Sequence, residues 1–218
     1  MCFSANVSLF TFIIGIIGSI LCISLGEIMD VVLGLFLGFV SFMQLIEYLL
    51  WKHQICDNYN KLLSIIGMIL NHAQPIVLGI ILLLVSKQNQ YNKYIIFIIM
   101  FIYLIFCIFY SNLFLQNINN QCTIKDKKTK HLDWKWNVQE YRLFFYLIFL
   151  LSFILLFIYG MPTLKQGIYL AFFTLILYLT TLLFYYTKHI GSMWCFYSAF
   201  VPIIYYILRN SYIKNIDF

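Results

Sequence analysis

Apolar residues run along this chain in long blocks, separated by short polar stretches. The blocks cover roughly Val7–Leu25, Val31–Trp51, Leu62–Val85, Tyr94–Leu115, Leu143–Tyr159, Gly167–Tyr186 and Ile190–Leu208. Each is long enough to cross a hydrocarbon layer of about 30 Å at about 1.5 Å per helical residue. They are apolar all round rather than along one stripe, which marks lipid-embedded helices and not amphipathic surface helices. The pattern predicts an all-α, polytopic membrane helix bundle of about seven transmembrane helices. A single transmembrane domain covers 1–218, with a long basic loop at 116–142. The other connections are mostly short, so neighbouring spans pack antiparallel.

Composition removes the main rival to this reading. With 63% hydrophobic and 10% charged residues, nothing polar is left to cover the core of a large soluble protein. No Lys or Arg precedes the first apolar block, so that block reads as a retained span rather than a cleavable signal. The excess of Ile, Phe, Tyr, Asn and Lys follows AT-rich codons, which weakens arguments built on any single aromatic residue. The six cysteines show no C-x-x-C spacing, which argues against a zinc ribbon or a disulfide framework. Most read as small apolar fillers or free thiols.

Orientation is read from Lys and Arg alone. Of the 14 basic residues, nine fall on the N-terminal side of a seven-span chain and five on the other. This favours a cytoplasmic N-terminus and a C-terminus on the opposite side. Cys2, Cys56 and Cys122 then face a reducing compartment, in keeping with their lack of pairing pattern. Lys125, Lys127, Lys128 and Lys130, followed by Trp134 and Trp136, read as a surface segment touching anionic lipid headgroups. The plainer reading is a solvated loop that only sets topology.

Few polar side chains enter the spans, and each has a bland and a functional reading. Gln44, Glu47 and Trp51 share a helix face, since steps of three and four residues return to one side. Glu47 is costly to insert unless it is neutralised, paired or placed on a wet cavity. Asn71-His72-Ala73-Gln74-Pro75 sits near the middle of the third span, and Pro75 leaves a carbonyl without its helical partner. In the seventh span Ser192, Cys195, Ser198 and Pro202 form a stripe, with Trp194 beside it. If spans two, three and seven are neighbours, Gln44, Glu47, Asn71, His72, Cys195 and Ser198 converge on a polar pocket. Interhelical hydrogen bonds that fix packing are the alternative. Gly34 and Gly38 form a G-x-x-x-G step that predicts close helix contact, inside the bundle or in a homo-oligomer.

The opening Met1-Cys2-Phe3-Ser4-Ala5, with Ser8, resembles the start of an uncharacterised family of small multi-pass membrane proteins of bacteria and giant DNA viruses. The Gln44…Glu47…Trp51 step and the Ser192–Ala199 stretch are similar to features of that family. Asn71–Pro75 is most similar to its viral members, and the AT-rich composition fits that branch. The resemblance implies no reaction and no cofactor. It draws attention to Cys2 and Ser4, because loss of Met1 leaves an amine beside the Cys2 thiol. An idle or palmitoylated Cys2 is the plainer reading.

Three functions compete. The first is a polar intramembrane pocket that binds or conducts a small solute, ion or lipid headgroup. The second is a membrane-embedded hydrolase drawing on Cys2, Glu47, His72 and His189, with Ser198 or Cys195 nearby. Its metal candidates are His72, Glu47 and Cys2, although no HxxxH or HExxH pair is present. The third is a structural membrane or virion component. A retinal protein is excluded because Ile190–Leu208 contains no Lys. The expected partners are the lipid bilayer and, through Gly34 and Gly38, a second copy of the chain; nothing points to nucleic acid.

Overall fold

The structure, a computed structural model, describes residues 4–116, 121–127, 130–185 and 190–212. It is an all-α bundle built from α1 (Ala5–Leu25), α2 (Ile28–Lys52), α3 (Asn58–His72), α4 (Gln74–Val85), α5 (Gln90–Gln116), α6 (Arg142–Gly160), α7 (Leu164–Tyr185), α8 (Ile190–Ser198) and α9 (Val201–Tyr212). Six segments are long and apolar enough to cross a membrane, counting Gly191–Asn210 as one; α3 with α4 makes a seventh if that bent pair is one span. The chain is therefore an integral, multi-pass membrane protein in its architecture, with apolar side chains facing the lipid.

Two of the expected spans are each divided into two helices, both at proline. α3 and α4 meet at a 49° bend just before Pro75. Proline removes an amide donor and clashes with the preceding turn. Beside the bend, the His72 carbonyl accepts from Tyr103 Oη at 2.6 Å. α8 and α9 are separated by Ala199 and Phe200, just before Pro202. The Pro202 carbonyl accepts from Cys22 Sγ at 3.1 Å.

Small residues set the tightest helix contact, α1 against α2. A Cβ on Gly34 would stand 2.7 Å from the Ser19 carbonyl oxygen, and one on Gly38 would stand 3.3 Å from Ser19 Cβ. The G-x-x-x-G step thus packs against α1 of the same chain, the first of the two contacts expected of it. Gly18 does the same for α9, since a Cβ there would lie 2.6 Å from the Ile203 amide nitrogen. These approaches suit a medium in which packing, not hydrophobic exclusion, holds helices together.

The long basic loop is folded rather than loose. β1 (Ile124–Lys125) pairs antiparallel with β2 (Leu132–Asp133), and a 3₁₀ turn follows at Lys135–Val138. Asn60 on α3 anchors it. Its Nδ2 donates to the Thr123 carbonyl at 3.0 Å, and its Oδ1 accepts from the Thr123 amide at 2.9 Å. Trp134 and Trp136 are 1% and 0% exposed. They pack on each other with ring centroids 4.8 Å apart, and Trp136 meets Phe114 edge-on. The expectation that both tryptophans sit among headgroups is therefore overturned, because they close the end of the bundle. Lys125, Lys127 and Lys130 remain exposed above them; Lys128 lies outside the described residues.

A disulfide joins Cys56 to Cys122, with Cα atoms 5.5 Å apart. This corrects the reading of these cysteines as unpaired. The two lie 66 residues apart in sequence, and the fold of the loop brings them together. Cys22, Cys107 and Cys195 are free thiols, and Cys2 is outside the described residues.

Candidate intramembrane polar site

α8 is the hub of the buried polar groups. It packs against α2 and α7, which brings Ser192 to Glu47. The Ser192 hydroxyl donates to Glu47 Oε1 at 2.8 Å. Two residues further on, Trp194 Nε1 donates to Gln74 Oε1 at 2.9 Å. The same Gln74 donates through Nε2 to Cys195 Sγ at 3.4 Å. Glu47, Gln74 and Cys195 are fully buried, and Ser192 and Trp194 nearly so. The adjacency of spans two, three and seven, on which the predicted pocket depends, is thus present in the fold.

A second group of polar atoms gathers around Gly191. A Cβ at that position would stand 3.0 Å from Asn137 Nδ2, 3.0 Å from Tyr146 Oη and 3.1 Å from Asn71 Nδ2. Only glycine lets these three groups converge on α8. Tyr146 donates to Asn137 Oδ1. Among the described residues, Asn137 Nδ2 and both polar atoms of the Asn71 carboxamide have no hydrogen-bond partner, though both residues are fully buried. An unpaired buried donor or acceptor costs about 1–3 kcal/mol, and Asn71 carries one of each.

His72 turns the other way. Its Nδ1 lies 2.9 Å from Ser111 Oγ on α5, and its ring packs on Phe145 at 4.6 Å and Tyr110 at 5.5 Å. Glu47 is bonded to α8 and His72 to α5, so the predicted pairing of these two in one pocket is corrected. The physical reason is helical spacing: Asn71 and Gln74, three residues apart, share the face toward α8, while His72, about 100° round the helix from Asn71, meets the aromatic side chains of α5 and α6.

The other sequence candidates fall in several places. Gln44 is fully buried on α2. Ser198 is 1% exposed, and its hydroxyl has no partner among the described residues. Trp51 stands at the end of α2, with Lys125 Nζ 5.7 Å from its ring. Ser4 caps α1, its hydroxyl accepting from the Val7 amide at 3.3 Å, which is a structural role. Cys2 and His189 lie outside the described residues. Among the described residues no group of three or more His, Cys, Asp or Glu is placed to hold a metal ion.

Sequence reasoning missed Asn137, Tyr146 and Gly191. Asn137 belongs to a loop segment read as interfacial. Tyr146 was one aromatic among many in an AT-rich chain. Its only signal is a hydroxyl inside an apolar span, which needs a partner when buried. No family model, curated protein or solved structure matches the chain.

Proposed function

We propose that the protein is an integral membrane protein that binds a small hydrogen-bonding solute or lipid headgroup at the polar cluster between α2, α3–α4 and α8. The observation that carries this reading is the Asn71 carboxamide, fully buried with neither end partnered among the described residues. Asn137 Nδ2, also unpartnered, accompanies it at Gly191. A guest offering one donor and one acceptor satisfies Asn71 and offsets its desolvation. Glu47 adds the acidic group of the cluster, held by Ser192. The chemistry favours an uncharged polar group, since amides and hydroxyls outnumber ionisable groups there.

The test is native mass spectrometry of the protein purified in mild detergent, compared with Asn71→Leu. A small-molecule adduct on the wild type, lost in a folded variant, supports the reading. A wild type free of adduct, with a variant of higher thermal stability, shows that the cluster only fixes packing. That second outcome is the structural-component reading, which the interhelical bonds of Gln74 and Ser192 favour.

Orientation belongs to the same proposal. The disulfide supports an oxidising compartment on the face that carries Cys56 and Cys122, against the cytoplasmic side that the Lys and Arg count favours. Most of the basic excess on that face sits in the folded loop, where Lys135 pairs with Asp133 at 2.6 Å. The exposed Lys125, Lys127 and Lys130 support contact with anionic headgroups. The resemblance of Met1–Ala5, Asn71–Pro75 and Ser192–Ala199 supports membership of the bacterial and viral family named above, as a proposal.

A further inference from the structure

A cavity of about 260 Å³ lies between α2, α6, α7 and the α8–α9 segment. Trp194 and Ser198 stand at its inner end, and Tyr205 and Leu208 at its outer end. From Ser198 to Leu208 the wall runs about 15 Å at the helical rise. α9 packs mainly on α1, while α7 packs on α6 and α8, so the cleft between α7 and α9 opens sideways. Phe173 and Ile204 line it and are about half exposed. An opening on the apolar flank of a transmembrane bundle faces acyl chains.

The outer end carries charge. Tyr205 Oη, on the cavity wall, donates to Asp30 Oδ1 at 2.5 Å. Arg209 Nε is 3.9 Å from the same oxygen, and Arg209 also pairs with Glu27. Asp30 is fully buried, and among the described residues its Oδ2 has no hydrogen-bond partner. It shares the α2 face of Leu33 and Leu37, which line the cavity at helical steps of three and four. Two carboxyl groups thus face one guanidinium, and the free carboxyl oxygen calls for a donor. The arrangement suits a headgroup with an ammonium for Asp30 and Glu27 and a phosphate for Arg209.

The geometry points to a second site, distinct from the Asn71 cluster: one acyl chain of an aminophospholipid lies in the α7–α9 cleft, with its ammonium hydrogen-bonded at Asp30. A primary ammonium donates hydrogen bonds, which a quaternary one cannot. An anionic headgroup meets the two carboxyl groups unfavourably.

The experiment is native mass spectrometry of the delipidated full-length protein, titrated separately with palmitoyl-oleoyl phosphatidylethanolamine, phosphatidylcholine and phosphatidylglycerol. Retention is expected to be strongest for phosphatidylethanolamine and weakest for phosphatidylglycerol. Asp30→Asn should weaken phosphatidylethanolamine retention about tenfold, the effect of one lost charge-assisted hydrogen bond. Leu170→Trp, which fills the cleft, should remove retention of all three lipids. Asn71→Leu should leave retention unchanged, separating this site from the polar cluster. Equal retention of the three lipids by the wild type overturns the headgroup assignment, even if Asp30→Asn fails to fold. Undiminished retention in Leu170→Trp overturns the cleft as the chain site.

Discussion

Trp194 Nε1 donates to Gln74 Oε1 at 2.9 Å, tying the first turn of α4 to the middle of α8. Gln74 is fully buried, and its amide also reaches Cys195. This pair holds the broken third span against the seventh. Trp194→Phe and Gln74→Leu should each lower stability by about 1–3 kcal/mol, since each leaves a buried polar group alone. The double variant should be less damaged than the sum, with a coupling of about 0.6–1.7 kcal/mol, the range for hydrogen bonds between membrane helices. Unfolding in mixed detergent micelles measures all three; strict additivity removes the bond from the account.

The Cys56–Cys122 bridge closes a loop of 66 residues. Its loss should cost about 4 kcal/mol by the chain-entropy relation. Cys56→Ser and Cys122→Ser should be equally destabilised, and the double variant no more so. Alkylation before and after reduction, read by intact mass on protein taken directly from membranes, tests whether the bridge forms there. Thiols that alkylate without reductant would return this face to the cytoplasmic side.

Gly18→Ala and Gly34→Ala each push a methyl group into backbone, at the Ile203 amide and the Ser19 carbonyl. Backbone yields less than a side chain does, so each should cost about 1–3 kcal/mol. Because both glycines pack within one chain, mass measured by light scattering should not change. A shift in oligomeric state with unaltered melting temperature would reinstate Gly34 as a contact between copies.

Asp57 caps α3. Its Oδ1 accepts from the Asn60 amide at 3.0 Å and its Oδ2 from His53 Nε2 at 2.9 Å. The Asn60 amide first, and His53 beside it, hold its carboxyl below the ordinary value of 3.8. The folded value lies below the unfolded one. The stabilisation is therefore fully present above about pH 4 and is lost as the pH falls through the lower, folded value. Thermal melts from pH 7 down to about pH 3 should show an acid-side loss that is reduced in Asp57→Asn. An identical acid limb in wild type and variant would remove Asp57 as its source.

The spans were legible because an apolar stretch of the right length admits few other fates. Pro75 and Pro202 announced the two breaks, and Glu47, Gln74, Cys195 and Ser198 were recognisable as polar groups that a bilayer does not tolerate without reason. The direction of His72 was not legible, because helical spacing sets it off the face of Asn71 and Gln74 but does not say which neighbouring helix that second face meets. The fold of the basic loop was equally hidden. Trp134 and Trp136 obey the same composition rule whether they meet headgroups or a neighbouring helix. The Cys56–Cys122 bridge follows from that fold and not from any spacing.

The paired indoles of Trp134 and Trp136 act as a cork at that end of the bundle. Trp136 stands against Gly67, one helical turn before Asn71, so under the proposed reading a guest reaches that amide through the oily flank. Solubility in hydrocarbon then ranks candidate ligands ahead of hydrogen-bond matching, and very water-loving compounds are screened out before they reach a single amide.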